Sequence, residues 1–276
     1  MSTRLHHEHS EFDGWKSLSV ALFLTLVGYG VLVGIPVIST AWVELLGFTE
    51  EQVGRVAGAD LGGLSAGAVL TSYLIRHMNR RLLLLTGGAL AIAANWLCTI
   101  YLNYETVLWL RFAAGTGSGI VTAIAVATLG ASSHPARAFN IMLFLFAFSQ
   151  AGELYVLPKL SMNGIYYAFI ISFVVGLAFT RWIPAYAAAE SLDIELDVDE
   201  PDGNSHVEHR HVPAFVPWLV LGAMFFTYIN IGTYWTYIEL AALDAGLEGD
   251  WVGSVLVWVS LGSLVGCLVA TLISNR

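Results

Sequence analysis

Apolar residues fall along this chain in eight long runs, each closed off by charges or turn-forming residues. The runs are Ser17–Leu46, Val53–Ile75, Leu82–Leu102, Thr106–Ala131, Ala138–Leu157, Ile165–Pro184, Ala214–Ala242 and Trp251–Ser274. A helix of about 20 apolar residues crosses a hydrocarbon core of roughly 30 Å, and each run reaches that length. Polar and apolar positions do not alternate as they do in the strands of a membrane barrel. The pattern therefore predicts an all-α membrane protein with eight transmembrane helices. The first and seventh runs are longer than a crossing needs, so they tilt or their ends emerge into water. Residues 1–16 (MSTRLHHEHSEFDGWK) are polar and lack the apolar core of a cleaved signal peptide, so the first run is retained as a span.

Charge orients these spans. Lys and Arg beside a span tend to stay cytoplasmic. With the N-terminus inside, the inner segments hold nine bases: Arg4, Lys16, Arg76, Arg80, Arg81, Arg137, Arg181, Arg210 and Arg276. Only Arg55 and Lys159 fall outside, where the turns are short and acidic (GFTEEQ, LNYET, DAGLEGD). The expectation is a multi-pass protein of the plasma or inner membrane with a cytoplasmic N-terminus. Between the sixth and seventh runs lies AYAAAESLDIELDVDEPDGNSHVEHRHV, rich in acid and poor in large apolar residues, which reads as a cytoplasmic linker. The organisation is then a tail (1–16), a six-helix bundle (17–184), an acidic linker (185–212) and two helices of a second bundle (213–276). Only 12% of the 276 residues are charged and 57% are hydrophobic, against about 25% charged in soluble domains. A soluble enzyme is excluded. The net charge of −9 sits largely in the linker and names no partner; no nucleic-acid partner is expected.

The chain also repeats itself. At a constant offset of 199 residues, Tyr29 meets Tyr228, Gly47 meets Gly246, Val53-Gly54 meets Val252-Gly253, Gly63 meets Gly262 and Gly67 meets Gly266. Each copy has an acidic turn and then a span with small residues four apart, a spacing that lets helix backbones approach in lipid. A repeat of that length with six spans predicts a second half of similar size. The chain would hold its first two spans, either as a fragment or with a partner supplying the rest.

Six spans, an acidic linker and a second six-span repeat resemble the major facilitator superfamily, over essentially the whole chain. Two local motifs bear on the likeness. The family's loop between spans two and three reads G-x-x-x-D-R-x-G-R-R. Here Ser72-Tyr-Leu-Ile-Arg76-His77-Met-Asn79-Arg80-Arg81 keeps the closing pair and puts His77 at the first base, but Arg76 occupies the acidic position. Arg76, Arg80 and Arg81 also suit anionic headgroups. In span four, Arg111-Phe-Ala-Ala-Gly115-Thr-Gly117-Ser-Gly119 is similar to the family's R-x-x-Q-G-x-G, with Ala114 in place of Gln. The antiporter pattern ending G-P-x-x-G-G is absent from FLFAFSQAGELYVLPKL, which points away from proton-driven drug export. The resemblance implies a major-facilitator-like bundle, eight helices present of an expected twelve, whose halves rock about a central site.

Charges inside hydrocarbon cost at least about 2.5–3.5 kcal/mol and usually face a cavity or a partner. Asp60, Arg111, Glu153 and, near an outer end, Glu239 are such residues. Asp60 and Arg111 lie at equal depth, which permits an ion pair: a proton-linked switch on one reading, a fixed tie within the bundle on the other. Glu153 sits among small residues and is a candidate proton carrier, or else an outer acid bonded to Gln150 or a tyrosine. Glu239 reads as interfacial. Tyr228 and Asn230 in span seven, with Tyr29, are candidates for binding an organic solute, while Trp235 and Tyr237 suit an outer aromatic belt. Gly28, Gly30, Gly34 and Pro36 mark either a gating bend or a packing kink in span one.

Two histidine groups, His6/His7/His9 and His206/His209/His211, lie in polar segments without a scaffold, and no metal site is assigned to them. Cys98 and Cys267 read as buried small hydrophobes. With no phosphate loop or nucleophile elbow, no cofactor is expected; energy would come from a proton gradient. The function expected is a proton-linked secondary transporter of a small organic solute in the lipid bilayer. The alternative is a non-transporting sensor or an inactive relative. The oligomeric state is left open.

Overall fold

The computed structural model describes residues 12, 14–186 and 215–274 of the chain. Eight long helices follow the eight apolar runs: α1 (Trp15–Leu46), α2 (Glu50–Leu74), α3 (Arg80–Ile100), α4 (Tyr104–Gly130), α5 (Pro135–Val156), α6 (Met162–Ala178), α7 (Val216–Asp244) and α8 (Gly249–Ser274). The chain divides into two compact units, residues 1–186 with 236–276, and residues 187–235. The described part of the second unit is mainly the first two-thirds of α7, with Phe225, Phe226, Ile229 and Ile231 exposed. Most of the tail and the linker, with both histidine groups, lie outside the described residues, as do the side chains of Cys267 and Tyr228.

Local chemistry sets the helix ends. Thr49 opens α2 with a capping box: its hydroxyl accepts from the Gln52 amide while the Gln52 side chain accepts from the Thr49 amide, satisfying two otherwise orphaned donors. Asn79, Asn103 and Ser161 cap α3, α4 and α6 in the same sense. α1 is closed by Gly47 at φ 69°, and the turn after α7 holds Gly246 at φ 82°, a backbone region that glycine enters without a Cβ clash. These two glycines are 199 residues apart, and so are the first residues of α2 and α8, Glu50 and Gly249. The repeat read from residue identities thus recurs in the helix punctuation.

α4 stands at the centre of the six-helix bundle, against α1, α2 and α3, while α1 also meets α5 and α6, and α8 lies on α5. Glycine decides how close α4 comes to its neighbours. A Cβ at Gly63 or Gly67 of α2 would strike the carbonyl oxygens of Phe112 and Thr116. A Cβ at Gly115 or Gly119 of α4 would strike those of Asp60 and Leu64. Gly117, turned to the other side, meets Gly87 and Ala91 of α3. Positions 115 and 119 share one helix face and 117 lies nearly opposite, so one short G-x-G-x-G segment brings two helices to backbone contact. In α8 a Cβ at the repeat counterparts Gly262 and Gly266 would meet nothing within 4 Å among the described residues.

One cluster of the apolar core, including Leu24, Leu84, Ile124, Leu129 and Phe173, fills the half of the bundle toward the N-terminus of α1. Large hydrophobes also cover the outside, among them Tyr73, Trp96, Trp109, Phe144 and Ile171. So much exposed apolar surface suits lipid rather than water.

Two expectations change. Among the described residues five helical segments qualify by length and composition as membrane spans, Trp15–Leu46, Arg80–Ile100, Tyr104–Gly130, Arg137–Lys159 and Gly249–Gly266, and Met162–Ala178 is a shorter apolar helix. α2 falls outside that set, diluted by Arg55, Asp60 and its many glycines and serines. The sixth helix, predicted to reach Pro184, ends at Ala178 and passes into a 3₁₀ turn over Thr180–Trp182. Trp182 stacks on Phe179 (4.8 Å between ring centroids) and Trp15 (6.1 Å), and the Ile183 carbonyl accepts from Arg81 Nε at 2.7 Å. These contacts replace a last helical turn that Pro184 could not extend.

Gly63→Leu should lower stability by about 1–3 kcal/mol or more through overpacking, read as earlier thermal unfolding in detergent. Gly62→Leu, at a neighbouring position that meets nothing within 4 Å, should melt like the parent. Equal melting of the two variants would refute the backbone contact.

Candidate functional site

Five helices each send one polar side chain to a common point in the half of the bundle away from the cluster around Leu24 and Phe173. Arg111 of α4 donates through Nη2 to Asp60 Oδ2 of α2 and through Nη1 to Asn95 Oδ1 of α3, both at 2.8 Å. Asn95 in turn donates its amide to the Ala91 carbonyl at 2.8 Å. The guanidinium carbon of Arg111 lies 5.9 Å from the ring centroid of Tyr166 in α6, and the Tyr166 hydroxyl accepts from the Trp42 indole of α1 at 3.2 Å. The ion-paired side chains are 2% and 4% exposed for Arg111 and Asp60. The pair expected from equal depth is therefore present, and it sits where Gly115 lets α4 touch the Asp60 backbone. Two opposite charges cancel, a neutral amide and an aromatic face take part of the remaining capacity, and Arg111 Nε is left buried without a partner among the described residues.

Glu153 of α5 is in a different setting. Ser149, one turn earlier, donates to Oε1 at 3.1 Å, while Oε2 is buried with no hydrogen-bond partner among the described residues. Ser149, and neither Gln150 nor a tyrosine, is thus its neutral partner. Space for the carboxyl comes from α1. A Cβ at Gly34 would lie 3.1 Å from Oε2, and one at Gly30 would lie 3.6 Å from Oε1 and 3.0 Å from Phe169. α1 runs unbroken through Pro36, and Gly28, packed on Thr122, belongs with these close-approach positions.

Other sequence candidates spread out. Tyr29 packs edge-on against Phe146 of α5 at 5.9 Å. Asn230 is exposed on the part of α7 that belongs to the second unit. Arg76 is exposed, but Arg80 is buried with its guanidinium 5.1 Å from the Phe12 ring, and Arg81 is tied to Ile183. Burial takes Arg80 away from headgroups and makes it part of the bundle's end. Tyr237, expected in an aromatic belt, donates its hydroxyl to the Glu50 carbonyl at 3.0 Å. Glu239, expected at the interface, is only 5% exposed.

The Major Facilitator Superfamily profile matches residues 18–276. The chain belongs to that family. Members of the major facilitator superfamily are transporters, so this protein is a multi-pass membrane protein of a transporter family, with the lipid bilayer as its medium. No curated protein sequence matches it.

Sequence reasoning missed Asn95, Tyr166 and Trp42. Asn95 carried a readable signal: an amide inside ALAIAANWLC is as conspicuous in an apolar run as a charge. Tyr166 and Trp42 carried none, because tyrosine and tryptophan are common near span ends. In this major facilitator the arrangement holds two kinds of buried charged group: an ion pair with an amide and an aromatic ring around it, and a carboxyl whose one hydrogen-bond partner among the described residues is Ser149.

Removing one member of a buried pair leaves an uncompensated charge, at a cost of about 3–5 kcal/mol. Asp60→Asn and Arg111→Gln should each lose that much in denaturant unfolding in micelles. The double variant should lose clearly less than the sum of the two. Additive losses would show that the two groups act separately.

Proposed function

We propose that this major facilitator is a proton-linked secondary transporter of a small organic solute. It works by alternating access in the plasma or inner membrane, with its N-terminus in the cytoplasm. The observation that carries the proton link is Glu153: a carboxyl on α5, set against the glycine face of α1, with one oxygen unpartnered. Such a group changes charge when a proton arrives, and a charge change in a low-dielectric interior alters which packing of α1 against α5 is favoured. The Asp60–Arg111 pair takes the other role considered for it. With Asn95 and Tyr166 around it, it is a fixed tie that keeps α2, α3, α4 and α6 moving as one body while the coupling acid works on α1 and α5.

The test uses proteoliposomes carrying a pH-sensitive dye in the lumen and a panel of small organic solutes supplied outside. At least one solute should drive a lumenal pH change in the parent, and Glu153→Gln should abolish that change while leaving folding intact. Solute uptake that is indifferent to an imposed pH gradient removes the proton link. No uptake of any solute in the panel favours the non-transporting alternative.

A further inference from the structure

Among the described residues one more acid is deeply buried without a counter-charge. Glu239, one turn before the end of α7, is 5% exposed, and its Oε2 has no hydrogen-bond partner. No basic side chain among the described residues lies within ion-pair distance of it: Arg111 is taken by Asp60, and Arg55 by Glu51. Its charged neighbour is another acid, Glu44 of α1. Glu239 lines a cavity of about 510 Å³ at the acidic end of the bundle, where α1, α5 and α7 finish and α8 begins. Lys159 also lines this cavity, but its ammonium sits 3.2 Å from the ring centroid of Tyr155. The remaining walls mix acid and hydroxyl (Asp250, Thr40, Ser254) with apolar surface (Leu154, Pro158, Leu243).

A buried carboxylate facing a second one is unfavourable unless it takes up a proton or a cation joins them. The walls say what kind of cation. No group of three or more His, Cys, Asp or Glu side chains among the described residues is placed to hold a metal ion, which argues against a divalent ion. One buried acceptor, a second charge nearby and an apolar wall suit N–H donors on a carbon skeleton, and the volume falls within the roughly 300–1,000 Å³ usual for small-molecule sites. Glu50, Asp244, Glu248 and Asp250 around the same end give a negative potential that draws cations toward the opening.

We propose that this cavity binds an organic ammonium ion, with its N–H groups on the Glu239 carboxylate, added attraction from Glu44 and Asp250, and its carbon body against Leu154, Pro158 and Leu243. As the first stop of a cationic solute on its way across, the site deepens the transporter reading and rests on it. The binding itself does not.

Binding to the full chain in lipid nanodiscs is measured calorimetrically with 2-phenylethylammonium and with its neutral counterpart 2-phenylethanol. The ammonium should bind at least about tenfold more tightly than the alcohol, since a charge-assisted hydrogen bond is at stake. Glu239→Gln should erase that preference. Glu44→Gln, at an exposed position that does not threaten folding, should weaken the ammonium about two- to fivefold, and the weakening should shrink as salt is raised. Equal affinity for the two probes, no ammonium binding up to about 10 mM, or displacement of the ammonium by equimolar calcium each overturns the proposal. If Glu239→Gln does not fold, unchanged affinity in Glu44→Gln overturns it as well. Tight binding without flux in proteoliposomes sinks the transport reading and leaves the site standing. Flux with no dependence on Glu239 overturns the site's place on the transport path and leaves transport standing.

Discussion

The buried ion pair between Arg111 and Asp60 is the interaction on which the bundle depends. In lipid every helix can bury apolar surface equally well against lipid tails or against another helix, so the hydrophobic effect does not choose neighbours. A charge does choose. Arg111 has nowhere stable to go in hydrocarbon except beside Asp60, and the pair closes only when α2 and α4 are at backbone distance. Asn95 then fixes α3, and the Tyr166 ring, held by Trp42, brings in α6 and α1. One polar contact therefore specifies the order of five helices.

The glycines make that contact geometrically possible. Gly63 and Gly67 on α2, facing Gly115 and Gly119 on α4, remove the side chains that would hold the backbones apart, and Gly117 does the same toward α3. On α1 the same residue type has a different use. Gly30 and Gly34 make room for the Glu153 carboxyl, which brings a titratable group to the surface between α1 and α5. Under the function proposed above, the charge-neutral cluster would hold a moving body together and the acid beside it would sense a proton.

Much of this was legible in the chain before any packing was known. Asp60, Arg111, Glu153 and Glu239 stood out because charges in apolar runs are expensive, and the equal depth of Asp60 and Arg111 permitted a pair between them. The five-residue network was not legible. Asn95 lies at matching depth, yet depth does not say which side of α3 it occupies, and Tyr166 and Trp42 look like ordinary residues of span ends. Glu239 was read as interfacial because it lies one turn from the end of its helix. Only the packing of α1, α5 and α8 around that end shows it to be buried. The end of α6 was likewise misplaced, because the turn at Thr180–Trp182 depends on Trp15 and Arg81 from elsewhere in the chain.

By itself the sequence determined the medium and the succession of helices, which follow from hydropathy and turn chemistry acting within one helix length, and it displayed the repeat as matched residue identities. What the tertiary structure decided was rotation and partnership: which face of each helix turns inward, which polar groups meet, and which acid is left alone. Lipid-facing and core-facing residues are both apolar here, so the helix faces differ too little in hydropathy to be told apart. Only contact between helices distinguishes them.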